Sequence, residues 1–402
     1  MSAGLVNSIV AVVTLAALAR LLYRPKVQES GTYKATVVPL GEIMDVGFIV
    51  FSPIIILSFG YDATWAMAGL CLLAILTGFA IGYNINNYEP LIGKPDPLHR
   101  WNTVALWALL AASVVNVAYY AQLLMTLVWL PLGDLYSPGL VTATAAGLLG
   151  ILMIYGFAKG LMALNNLGNK TTAFNLAAIV AVLVAFATYN VQQLVGGDFG
   201  WPHFDAPDNQ EAFRKLLGLF VLVQGFEASR YIGAYVSAGE RVKTMRSAQY
   251  ISTVVYVLFV LFSLILFAKV KAPDNVTAIF EVSKQVSTFL PFLIMAAAVG
   301  SQLSAIVNDT EVRTEMLAGE IGDRLSRKWT FPLFLVPAIL VVVLTDASSV
   351  VSLASRVFAA YYLSQALIAG RLAWRAKRWA WVAFFAGIAL AMAAVAVLGI
   401  PS

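Results

Sequence analysis

The chain has 402 residues, 60% of them hydrophobic and only 12% charged, with a mean hydropathy of +0.81. That balance excludes an ordinary soluble domain and leaves room for nothing larger than loops outside a bilayer, so an all-α polytopic membrane protein is expected. The net charge of +5 is scattered through short loops instead of gathering on one soluble face, which argues against a nucleic-acid partner and for membrane topology.

Leu5 to Tyr23 is a first apolar span. No basic residue precedes it while Arg20, Arg24 and Lys26 close it, the reverse of a cleavable signal peptide, so an extra helix with its N-terminus outside is expected. A second span runs from Val37 to Gly60 and a third from Ala63 to Ile85, joined by the turn Tyr61-Asp62. Cys71 lies in the apolar interior of the third, which excludes a disulfide framework and a cysteine metal site. His99, in the loop Asn86 to Arg100, and His203, much later, are isolated, so no metal is expected. Trp101 to Trp129 is long enough to cross at a strong tilt. Pro131 to Pro138 turns the chain, Gly139 to Tyr155 spans again, and after the polar connector Asn165 to Lys170 a helix is expected over Thr172 to Tyr189.

The longest loop, Gly196 to Glu211, carries Asp198, Trp201-Pro202, Asp205 and Asp208. Next come the segment Leu216 to Tyr235 and a span from Tyr250 to Ala268, separated by the basic loop around Glu240 to Arg246. Lys271 to Lys284 is amphipathic and reads as a short interfacial helix. Phe289 to Val307 runs on into polar Asn308 to Glu311 as one long helix. Phe331 to Leu344, Ser349 to Ile368 and Trp379 to Leu398 bring the total to about 12 transmembrane helices.

With the N-terminus outside, the inner segments hold Arg20, Arg24, Lys26 and Lys34; Lys94 and Arg100; Lys159 and Lys170; Arg241, Lys243 and Arg246; Arg313, Arg324, Arg327 and Lys328; Arg371, Arg375, Lys377 and Arg378. The outer side keeps Arg214, Lys215, Lys269, Lys271 and Lys284. This bias places both termini on the outer, periplasmic side of a bacterial inner membrane.

Within Leu216 to Tyr235, the run from Val221 to Tyr235 holds Gln224, Glu227, Ser229 and Arg230 at the depth of a membrane span. Such charges cost roughly 2.5–3.5 kcal/mol each on insertion scales and belong in a bundle interior or a watery cavity. Gly225 and Gly233 bracket them, where a helix can unwind and expose backbone groups. A broken helix lining a binding site is therefore expected; a continuous helix with Glu227 and Arg230 paired at i, i+3 is the alternative. Five spans earlier, in the opposite direction across the membrane, Gly41 to Pro53 is interrupted in the same way, with Glu42, Asp45, Gly47 and Pro53. Paired interrupted helices in two halves point to an inverted-repeat transporter with its site at the bilayer midplane. A simple kink at Pro53 is the alternative. The expected division is an extra N-terminal helix and cytoplasmic linker at 1–36, a first repeat at 37–192, an outer loop and second repeat at 193–370, and a C-terminal helix at 371–402.

Gly225-Phe226-Glu227-Ala228, followed by Ala238-Gly239-Glu240-Arg241-Val242-Lys243, resembles the sixth core helix and following loop of permeases of the amino acid/polyamine/organocation (APC) superfamily. Asp45-Val46-Gly47-Phe48-Ile49 with Pro53 is similar to the break in their first core helix. Order and topology agree over about residues 37–370. The resemblance implies a LeuT-like 5+5 inverted-repeat core with broken first and sixth core helices. It also implies a secondary active transporter for an amino acid, amine or organic cation, with sodium or protons as coupling ion and no other cofactor. Asp45 departs from the family's glycine. A carboxylate there would repel a substrate carboxylate, so a cationic ligand or direct ion coordination is expected unless Asp45 is protonated.

Substrate-binding candidates on this reading are Asp45, Gly47, Phe48, Ser52, Asn116, Tyr120, Gln224, Gly225, Phe226, Glu227, Ser229, Arg230 and Tyr361. Candidates for the coupling ion are Asp45, Ser301, Ser304 and Asp309. Related sodium-coupled carriers take hydroxyls from the eighth core helix, where Ser301 and Ser304 share a face, although membrane serines also bond the preceding carbonyl. Glu227 and Asp309 are further proton candidates. Tyr361 and Tyr120 can hold a cation against a ring face or simply fill space. The expected partners are a small-molecule substrate and the lipid bilayer. No nucleotide-binding glycine pattern or catalytic constellation is visible, which argues against an enzyme. An ion channel, a metal or potassium cation carrier, and a carrier-fold sensor are the other classes considered. A channel lacks a ring of repeated filter residues, and a sensor lacks a signalling domain.

Overall fold

The computed structural model describes residues 3–401 apart from 46, 131–132, 134–135, 161, 199, 201–203, 205–208, 234–235 and 268–277, and the side chains of 162–170, 323, 347 and 348. Val46, Trp201-Pro202, His203, Asp205, Asp208, Tyr235, Lys269 and Lys271, all used in the sequence reading, lie outside the described residues. So do half of the turn from Pro131 and the first half of the expected interfacial helix.

The described chain is helical throughout: α1 Ala3–Leu22, α2 Pro25–Gln28, α3 Gly31–Ile43, α4 Gly47–Phe59, α5 Ala63–Asn87, α6 Leu98–Trp129, α7 Pro138–Lys159, α8 Met162–Gly196, α9 Asn209–Gly218, α10 Ala238–Leu266, α11 Ala278–Val286, α12 Leu290–Ile321, α13 Thr330–Leu344, α14 Ala347–Arg375 and α15 Trp379–Leu398. Nine stretches of the described residues are long and apolar enough to cross a membrane. The spans at Leu5 to Tyr23, Ala63 to Ile85, Phe331 to Leu344 and Trp379 to Leu398 stand within a few residues of their expected bounds.

Two expected connectors are helical. The Asn165 to Lys170 stretch belongs to α8, since its polar residues and one glycine cost the helix little and no proline interrupts it. The basic loop around Glu240 to Arg246 is the first two turns of α10. Ser237 caps that helix, its hydroxyl accepting from the Glu240 N–H at 3.4 Å, and Ser237 with Glu240 three residues on is a capping-box pattern. Two of the cations on the expected inner segments are buried, Arg241 at 4% exposure and Arg313 at 5%.

The chain folds as two compact units. The first comprises 1–75, 170–216 and 225–301. In it α10 lies along α3 and α4, and α11 packs on α4 and α1. The Asn7 side chain of α1 donates to the Val286 carbonyl at 3.0 Å, Gln249 to Ala74 at 2.8 Å and Asn190 to Phe262 at 3.0 Å. The second comprises 76–169, 217–224 and 302–402. There α14 packs on α6 and α15, and α13 on α6 and α7. Gln122 of α6 donates to the carbonyls of Val342 at 3.0 Å and Thr345 at 2.7 Å, closing the C-terminus of α13. Polar links of this kind hold helices together where lipid removes the usual hydrophobic driving force.

Close approach of α7 to α13 depends on Gly156, where an added Cβ would stand 2.5 Å from the Phe331 ring. Gly156→Leu should therefore destabilise the purified protein by about 1–3 kcal/mol, read as a lowered Tm, and Phe331→Ala in the same chain should recover part of the loss.

Candidate functional site

The α3 helix stops at Ile43 and α4 begins at Gly47, so the interruption falls between those two residues and Pro53 lies inside α4. A helix that stops inside an apolar span leaves carbonyls that lipid cannot satisfy. Here side chains from other helices supply the donors. The buried Tyr256 of α10 gives its hydroxyl to the Ile43 carbonyl, and Asn175 of α8 donates to the Met44 carbonyl at 3.0 Å. The Tyr256 ring stacks on Phe48 with centroids 4.0 Å apart, so one residue grips the end of α3 and the start of α4. Asp45, half-buried between them, accepts a hydrogen bond from the Ser301 hydroxyl of α12 at 2.6 Å. Ser52 is fully buried and donates to its own helix at the Phe48 carbonyl.

The second interruption is longer than expected: helical from Asn209, the chain leaves the α form at Gly218, makes short 3-10 turns at Phe220–Val223 and Phe226–Arg230, and among the described residues is α-helical again from Ala238. In the first unit, Gly225 adopts φ 111°, and an added Cβ there would lie 2.7 Å from the Glu42 carbonyl carbon. Both facts require glycine. The buried Glu227 carboxylate accepts from the Gly225 N–H at 3.0 Å. Arg241 donates to the Arg230 carbonyl at 2.9 Å, and its guanidinium lies against Gly233. Phe226 and Ser229 are fully buried beside them, and the Ser229 hydroxyl has no protein partner among the described residues. In the second unit, the Ser355 hydroxyl of α14 donates to the Gly218 carbonyl at 2.7 Å and accepts from the Val221 N–H at 2.9 Å, spanning the point where α9 ends. Gln224, also buried there, closes this stretch in extended conformation.

A separate polar cluster occupies the second unit. Asn116 of α6 donates to Asp309 at 3.2 Å, and Arg313, one turn on in α12, stands 3.6 Å from the other Asp309 oxygen. All three side chains are nearly fully buried. Tyr120 sits beside Tyr119 at 5.3 Å between centroids, and Tyr361 beside Tyr362 at 5.1 Å, all four buried. The Ser304 hydroxyl is within 3.5 Å of Asn308.

The structure thus gathers Asp45, Gly47, Phe48, Ser52, Gly225, Phe226, Glu227, Ser229, Arg230 and Ser301 in one unit, and Asn116, Tyr120, Gln224, Ser304, Asp309 and Tyr361 in the other. Sequence reasoning missed the residues that hold the breaks open: Tyr256, Asn175 and Arg241, and the bridging role of Ser355. Only the Asp309 and Arg313 pair carried a readable signal, an i, i+4 spacing.

A membrane bundle with two helices interrupted inside apolar spans and acidic groups at both interruptions is built as a secondary transporter. A family model of APC superfamily transporters matches residues 25–399. The chain belongs to that superfamily and is a transporter, not an enzyme. It is similar to an uncharacterized protein of Aquifex aeolicus (strain VF5), 29% identical over 367 residues, 88% of this chain and 87% of the relative. The fold is that of a solved Na+-coupled sialic acid symporter in its substrate-bound outward-open state, at a TM-score of 0.54 and 16% identity over 100% of this chain and 99% of that one.

Two substitutions test the breaks. Tyr256→Phe keeps the ring but withdraws the donor to Ile43, and should cost about 1–3 kcal/mol of stability. Gly225→Ala combines positive φ with a backbone clash and should cost at least about 2 kcal/mol, lowering Tm and surface expression together.

Proposed function

We propose that the chain is a cation-coupled transporter of a small amine, amino acid or organic cation, working by alternating access, with the coupling cation held at Asp45 and Ser301. The observation that carries this reading is the acid at each interruption. A carboxylate and a hydroxyl 2.6 Å apart offer two hard oxygens at the first break, where unwound helices bind Na+ or H+ in such carriers. At the second, the Gly225 N–H that would otherwise greet a substrate anion is occupied by Glu227. A substrate carboxylate would meet negative charge at both positions, whereas an ammonium group would be attracted to both. Ser229, buried with an unpartnered hydroxyl, supplies a further polar contact, and Phe226 and Phe48 the apolar walls.

Sodium is favoured at this position because both oxygens come from side chains able to reorient as the ion arrives. The similar solved structure is of a Na+-coupled symporter, which supports the same choice. A proton-coupled reading rests on Asp309, whose buried ion pair with Arg313 is the kind of coupled site that changes partner when it is protonated.

Uptake of labelled amines and amino acids into proteoliposomes, driven separately by a sodium or a proton gradient, tests this. Sodium-driven uptake of a cationic or zwitterionic amine is expected, abolished by Asp45→Asn and reduced at least tenfold by Glu227→Gln, with normal membrane insertion of both. Wild-type uptake by both variants would remove the assignment.

A further inference from the structure

The second unit carries a cavity that transport does not explain. It has a volume of about 540 Å³ and opens between the start of α6 and the adjoining ends of α14 and α15, walled by Leu98, Trp101, Leu367, Trp374 and Phe385, with Arg371 at its rim. Its walls are almost wholly apolar. Trp101 and Trp374 are 53% and 52% exposed, as tryptophans are at the level of lipid headgroups. An apolar opening of this size, flanked by exposed tryptophans, suits a hydrocarbon chain.

The charge at its mouth is selective. Lys94, Arg100, Arg371, Arg375, Lys377 and Arg378 lie on the two chain segments that meet there, against Glu89 and Asp96. Arg375 and Asp96 neutralise each other through a 2.7 Å ion pair. That hydrogen bond, helped by the Leu98 N–H, holds the Asp96 carboxyl below its ordinary pKa. Arg371, one turn before Arg375 on the same face of α14, is exposed and makes no ion pair among the described residues. A cation on a long stem beside an apolar cleft lays its methylenes along the cleft and lifts its guanidinium to headgroup level, where phosphate oxygens accept from it in pairs.

We propose that this cavity is a binding site for an anionic phospholipid, one acyl chain lying between α6, α14 and α15 and the headgroup phosphate on Arg371. The site is independent of Asp45, so it can fail without touching the transport reading.

Native mass spectrometry of the purified full-length protein titrated with phosphatidylglycerol or phosphatidylcholine of identical chains tests it. The anionic lipid should bind tighter; Arg371→Gln should weaken it about fivefold, with no change for phosphatidylcholine, and Arg371→Lys should keep most of the preference. Leu367→Trp, which fills the cleft, should weaken both lipids. Equal binding of the two lipids by the wild type, an undiminished preference in Arg371→Gln, or full competition by inorganic phosphate alone would each overturn the proposal.

Discussion

A helix that stops inside hydrocarbon leaves amide and carbonyl groups with no water to turn to, and each one left bare costs several kcal/mol. This chain stops two helices in that way, and much of its buried polar chemistry answers the need. Tyr256 and Asn175 close the carbonyls of Ile43 and Met44, Ser355 spans Gly218 and Val221, Glu227 takes the Gly225 N–H, and Arg241 takes the Arg230 carbonyl. The helices that carry these groups, α8, α10 and α14, are positioned by the breaks as much as the breaks are held by them.

Asp45 adds a carboxylate to this arrangement, at the entry to α4. The Met44 and Ile43 carbonyls are met by neutral donors, yet the next residue is a carboxylate bonded to a serine hydroxyl. A carboxylate bonded to a hydroxyl at a helix interruption offers hard oxygens of the kind that bind and release a cation. Ligand binding at such a point shifts a conformational equilibrium only by its differential affinity for the two states. A break held by a few hydrogen bonds, each worth about 1 kcal/mol net, is an element that such a difference can move.

The fold was legible because hydropathy and span length are dictated by the bilayer, and both broken segments announced themselves through charges and glycines within apolar runs. The ends of helices were less legible. Glu240 to Arg246 read as a loop because its charges suggested water, but the Ser237 cap makes those residues the opening turns of α10, and Arg241 turns inward to serve a carbonyl that no local pattern reveals. In the same way nothing local in the sequence marks Tyr256, since its task is set by Ile43, more than two hundred residues earlier in the chain. The positions of the breaks could be read; the residues that hold them in place, defined by long-range contacts, could not.

The central claim is that the open first break binds a cation through Asp45 and Ser301. The most direct measurement is the Tm of the purified protein in sodium chloride against choline chloride at equal ionic strength, for the wild type and Ser301→Ala, at two pH values. Mass action predicts a sodium-dependent rise in the wild type that is largely lost in the variant. Equal rises in both proteins, or a wild-type response to pH alone with none to sodium, would contradict it.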